Sequence, residues 1–153
     1  MAITDNKNFL SPIGFNLTID REKLANVDYF CISASLPDIS VPEIATPFRT
    51  DYGYAPGEKL EYAPLTVSFL VDEDMVNYKE MYNWMKENAK EIGDSTVDAT
   101  LAILSSHSNV VQEIKFVDCF PTSLTALDFN AQNTDIEYFT AQATLRYNYY
   151  EFL

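Results

Sequence analysis

The stretch Leu65–Lys90, LTVSFLVDEDMVNYKEMYNWMKENAK, changes its hydrophobic period once, and the rest of the chain has to fit around that change. Leu65, Val67, Phe69 and Val71 alternate with Thr66, Ser68 and Leu70, the period of two that turns one face of a strand to a core and the other to water. From Met75 the apolar positions become Met75, Tyr78, Tyr82, Met85 and Ala89, which line one face of a helix. Asn77, Glu80, Asn83, Glu87 and Lys90 then fall on the opposite, outward face. Asp72-Glu73-Asp74 stands at the junction, where Asp72 or Asp74 can accept from the free amides of a first helical turn and the carboxylates oppose the positive end of the helix dipole.

Around this unit the chain reads as strands. Phe15, Leu17 and Ile19 alternate in a short strand before the charged turn Asp20-Arg21-Glu22-Lys23. Tyr29–Leu36 predicts a second strand, stopped by Pro37. Ala99–Leu104 and Val110–Val117 flank the turn-forming Ser105–Asn109 and predict a hairpin, which Phe120-Pro121-Thr122 ends. Leu124, Leu127 and Phe129 lead into a turn, NAQNTD. Tyr138–Tyr150 is the longest alternating run, with Phe139, Ala141, Ala143, Leu145, Tyr147 and Tyr149 on one side; a strand that outruns the usual ~5–6 residues calls for pairing beyond a small isolated sheet.

Between these strands lies an excursion, Thr46–Tyr62, holding Phe48, Tyr52, Tyr54 and Tyr62 among Pro47, Pro56, Gly53 and Gly57. So many aromatics do not suit a merely solvated loop; the segment either docks on a partner or folds back over its own core. The chain of 153 residues reads as a single domain, 1–153, with residues 1–12 a flexible N-terminal arm.

Charge and chemistry exclude several functions. Twenty-three acidic against 10 basic residues give a net charge of −13, which repels nucleic acid instead of neutralising its phosphates. His107, the single histidine, sits in a Ser/Asn turn with no metal-ligand partner, and no nucleophile has a base beside it. The Asp72–Asp74 cluster lacks the glycine and alternating ligands of a calcium loop, and no phosphate-binding glycine loop is present. Neither an enzyme nor a cofactor is expected. Cys31 and Cys119 lie in apolar strand-like surroundings and read as reduced thiols. No signal peptide is recognisable, and no apolar run reaches the ~18 residues of a membrane span, so a cytoplasm-like site of synthesis is expected.

The order of these pieces resembles the tail tube proteins of contractile-tailed bacteriophages. The resemblance is carried by Cys31–Pro37, the Val41-Pro42 edge, the Gly57 turn, the Leu65–Phe69 strand with its acidic break and Trp84-containing helix, Gln112–Phe116, Phe120-Pro121-Thr122, and above all the closing run IEYFTAQATLRYNYYEF. It extends over Phe15–Phe152.

That resemblance implies a mainly β fold with one flanking helix, an antiparallel sandwich or half-barrel that closes with neighbouring copies into a hexameric β-barrel ring, with rings stacked into a tube. It also implies a structural virion protein that forms the conduit for DNA ejection, with a baseplate tube initiator or tail-completion ring of the same fold as the alternative. A third reading, a small acidic β-sandwich binding module, stands apart from the resemblance. Sheath, baseplate and tail terminator proteins are the implied partners, DNA passes the lumen unbound, and assembly takes place in the host cytoplasm before the protein resides in the virion tail. The candidate inter-subunit or inter-ring contacts are Phe48, Tyr52, Tyr54, Tyr147 and Tyr149, and the candidate sheath-facing helix positions are Asn77, Glu80, Asn83 and Glu87.

Overall fold

In a computed structural model, which describes residues 9–19, 31–90, 96–132, 134–135 and 137–153, eleven strands and one helix can be followed. They are β1 Phe15–Thr18, β2 Cys31–Ala34, β3 Ile39–Ser40, β4 Glu43–Pro47, β5 Tyr52–Pro56, β6 Glu61–Tyr62, β7 Leu65–Leu70, α1 Val76–Lys90, β8 Val97–Leu104, β9 Val110–Leu124, β10 Thr140–Arg146 and β11 Tyr149–Phe152. Most of the predicted N-terminal arm, the Asp20–Lys23 turn, Tyr29-Phe30 and the Gly93 connection lie outside the described residues.

Antiparallel pairing joins the main strands in the order β1-β8-β9-β10-β7-β2, with β11 also on β9. Alternation sets the core: Leu65, Val67 and Phe69 of β7 face Ala141, Ala143 and Leu145 of β10, and Ile114 and Phe116 of β9 complete the buried face with Leu17 and Leu101. Helix α1 packs on β9 and adds Met81 and Trp84 to this cluster.

Two strands depart from the sequence reading. Strand β9 does not stop at Phe120; its 15 residues run through Pro121, which pairs opposite Leu145 next to a register shift at Thr144/Leu145, the kind of position where a missing N–H is tolerated. The closing run is interrupted instead. β10 pairs with the Phe120–Leu124 end of β9 and β11 with Ile114–Val117, and between them Asp118 adopts φ 55°. The Asn148 amide donates to the Val117 carbonyl and its side chain to the Asp118 carboxylate at 2.9 Å. The break shifts the alternation by one, so Tyr150 turns inward and Tyr149 outward.

Helix α1 is rotated from its predicted phase. Its buried residues are Asn77, Met81 and Trp84, while Tyr82 lies on the outside with the Lys86 ammonium 5.6 Å from its ring centre. Met75 precedes the helix at φ 58°, so a face counted from Met75 is out of step. The acidic junction also works differently from a helix cap: the Asp72 carboxylate accepts from the Asp74 amide at 2.6 Å and folds a local turn, whereas the helix opens with Lys79 N–H donating to the Met75 carbonyl.

Candidate assembly surfaces

Residues 39–62 form a two-part β-excursion. Its base is the short β3–β6 pair, Ile39 opposite Tyr62, and its arm is β4–β5, with Pro47 opposite Tyr52 and the Phe48 amide donating to the Asp51 carbonyl at 2.8 Å. The arm is narrow where glycine permits it: a Cβ on Gly57 would meet the Pro42 carbonyl oxygen at 2.4 Å, and one on Gly53 would meet the Phe48 ring at 2.3 Å. Phe48, Tyr52 and Tyr54 are 65%, 68% and 67% exposed, with Tyr52 and Tyr54 on one face of the ribbon and the Phe48 ring over Gly53 on the other.

The excursion is anchored by aromatics from the end of the chain. Tyr62 meets Tyr147 edge-on at 6.0 Å and Tyr150 at 5.3 Å, and Phe116 lies 5.0 Å from Tyr147. The Tyr147 hydroxyl donates to the Ala63 carbonyl at 2.7 Å, and the Tyr150 hydroxyl to the Pro37 carbonyl at 3.2 Å. Both stems of the excursion are thus tied to the last two strands. Burial pushes the Tyr147 phenol well above its usual value, keeping it protonated as a donor.

Tyr147 is therefore a core residue and not a contact residue as the sequence suggested; it is 7% exposed, because the alternation holds through Tyr147 and breaks only at Asn148. Tyr149 is exposed on β11. Of the four helix positions, Asn83 and Glu87 are exposed and Glu80 is half-buried. Asn77 is fully buried and cannot face a sheath. Its side-chain amide donates to the Leu70 carbonyl at 2.5 Å, and its oxygen accepts from the Asp72 and Tyr78 amides, so it closes the β7-to-α1 corner.

Among the described residues β1 pairs only with β8 and β2 only with β7, so these two strands end the strand order. No group of three or more His, Cys, Asp or Glu side chains capable of holding a metal occurs among the described residues, and no helix there is long and apolar enough to cross a membrane. Both cysteines are free thiols, and burial pushes the Cys119 thiol up to about 12.

One surface escaped the sequence reading. NAQNTD read as a turn and Tyr138-Phe139 as the start of the closing strand, yet the strand begins at Thr140, and Leu127, Phe129 and residues 137–139 line a groove beside the start of α1, with Phe129 and Phe139 in ring contact at 4.9 Å. The available signal was the density of aromatics, Phe129, Tyr138 and Phe139, next to the acids Asp128, Asp135 and Glu137.

Comparison with known proteins agrees with this mainly β, antiparallel architecture. The profile of the phage tail tube protein family matches residues 3–153. The tail tube terminator protein of Enterobacteria phage T4 is 29% identical over 130 residues, spanning 78% of this chain and 74% of its own. Among solved structures, the anti-feeding prophage tube-terminating cap superposes with TM-score 0.73 at 22% identity, covering 99% of this chain and 95% of that one. The sheath/tube terminator of an extracellular contractile injection system, in its extended state, gives 0.70 at 18% identity, covering 97% and 99%. The family match over almost the whole chain, and not the fold alone, marks a structural tail component. The chain belongs to the phage tail tube protein family.

Proposed function

We propose that copies of this chain close into a ring, hexameric by the family pattern, that continues the bore of a contractile tail tube. The observation that carries the reading is the match to the tube family over residues 3–153, in a chain whose described strand order ends at β1 and β2. Strand pairing between subunits makes a barrel with no edge left. A bore built from a chain of net charge −13 suits DNA that has to slide through without adhering. Sheath, baseplate and neighbouring ring proteins are the partners of this reading, with assembly in the host cytoplasm and residence in the virion tail.

Two positions along the tail are supported. The family description favours a repeating tube subunit, whose Phe48, Tyr52 and Tyr54 would meet the next ring. The T4 relative, a tail tube terminator protein, supports a single terminating ring. Copy number decides between them: quantitative mass spectrometry of purified tails returns many copies per tail for a tube subunit and one ring's worth for a terminator. Electron microscopy of the concentrated protein, alone and with tail extract, is expected to show rings or tubes. A strictly monomeric species in both conditions would sink the ring assignment.

A further inference from the structure

Strand β7 has a different surface at each end. Leu65 follows the stem of the excursion, and Leu70 leads into a groove of about 550 Å³ between the start of α1 on one side and Leu127, Phe129 and residues 137–139 on the other. Val71, Met75, Leu127 and Phe139 give the groove its apolar lining, and Phe129 and Tyr138 stand over it, 74% and 81% exposed. Asp72, Glu73 and Glu137 rim it, and the adjoining hollow adds Asp128 and Asp135. Among the described residues no lysine or arginine lines either hollow.

We propose that this groove docks a basic segment of another protein, one in which an apolar or aromatic anchor is flanked by lysines or arginines. Burial of the anchor between Phe129 and Tyr138 supplies the affinity, since exposed ion pairs contribute little singly, and the acidic rim selects the sign of the flanking charge. The rim's charge selects against nucleic acid and anionic lipid. It also disfavours a second copy of this chain, whose net charge is −13 and whose projecting segment sets Glu43, Asp51, Glu58 and Glu61 against Arg49 and Lys59. The inference does not depend on which position along a tail the ring occupies.

The test uses the full chain and a fluorescein-labelled peptide with one tryptophan between lysine pairs, with two control peptides: tryptophan replaced by glycine, and lysines replaced by glutamates. Saturable binding of the first peptide is expected, with neither control binding comparably. The double variant Glu73→Gln/Glu137→Gln and, separately, Phe129→Ser and Tyr138→Ser are expected to weaken binding about fivefold or more. The charge-matched variant Asp51→Asn/Glu87→Gln, away from the groove, should change it less than twofold. Near-UV circular dichroism establishes that each variant is folded; because Phe129 and Tyr138 are largely exposed, two independent anchor variants remain if one fails. Equal binding of the glycine peptide, equal weakening by the remote variant, or loss of the chain's own self-association in the Phe129 and Tyr138 variants would each overturn the proposal. The last outcome would make a second copy the occupant.

Discussion

Tyr147, on the last run of the chain, donates its hydroxyl proton to the carbonyl of Ala63 at 2.7 Å, across 84 residues of sequence. This bond and the Tyr150–Pro37 bond set the angle at which the excursion leaves the sheet, because both stems end on them. Tyr147→Phe keeps the ring packed on Phe116 and removes only the donor. The expected loss is about 1–2 kcal/mol in urea denaturation, with the Ala63 carbonyl left unpaired. Double electron–electron resonance between labels at Thr50 and Asn83 is expected to show a broader distance distribution; an unchanged distribution and midpoint would mean that the bond does not hold the stem.

Asn77→Leu tests the corner between β7 and α1. Leucine is close in volume but strips the Leu70 carbonyl and the Asp72 amide of their partner, so a loss of about 2–3 kcal/mol is expected by thermal and urea denaturation. Asn83→Leu, on the exposed face of the same helix, should stay within about 0.5 kcal/mol. Equal effects at the two positions would contradict the rotated helix face.

Gly57→Ala forces a methyl group against the Pro42 carbonyl, which is backbone and cannot swing away. Faster amide exchange throughout β4 and β5 is expected, with little change in the exchange of β7 and β10, because the arm pairs only with itself. Gly53→Ala meets a ring edge instead, and should displace Phe48 while leaving the β4–β5 amides protected. If Gly57→Ala leaves exchange unaltered, the close approach is not structural.

Asp98 accepts the Asp118 amide at 3.1 Å and pairs with Lys115 at 3.2 Å, and the first of these contacts does most to hold its carboxyl below the usual carboxylate value. The folded value lies under the unfolded one, so its stabilisation is present above about pH 3.9 and disappears as pH falls through the folded value. Asp98→Asn is expected to flatten that acid limb of stability relative to the parent chain. Parallel profiles below pH 4 would exclude the linkage.

Cys119 should stay protonated and shielded at pH 8, while Cys31, only half-buried, reacts. A maleimide is expected to label one thiol per native chain and two in urea, read by intact mass. Labelling of Cys119 in the folded protein would show that β9 opens locally.

Phe48→Asp and Tyr54→Asp place a charge on the projecting arm, where each side chain is about two-thirds exposed. The monomer should keep its melting temperature, and assembly, read by sedimentation, should fall at least tenfold if these residues meet a neighbouring copy. Unchanged assembly would remove the arm from the contact.

Local patterning was sufficient for the strands whose faces differ. Leu65–Leu70 and the β8–β9 hairpin were legible because a period of two with one apolar face has a single favourable register against a core. The exposed aromatics Phe48, Tyr52 and Tyr54 could be recognised as unusual, since aromatic density needs no fold to be noticed. Its two possible roles could not be separated, because being covered or projecting depends on what lies nearby in space.

Long-range pairing decided the rest. Tyr147 and Tyr149 look equivalent along the chain, and only the Asn148–Asp118 contact, 30 residues apart, sends one into the core and the other to the surface. Asn77 belongs by composition to a solvated face, and only the Leu70 carbonyl at the end of β7 makes a buried amide more favourable there than an exposed one. By itself the sequence determined a mainly β chain with one helix set after β7, since hydrophobic periodicity is a local property. Which tyrosine anchors the arm, which helix face is buried, and that Leu127, Phe129 and residues 137–139 line a groove were decided by tertiary structure, because a polar group's best position depends on partners that only folding brings within a hydrogen bond.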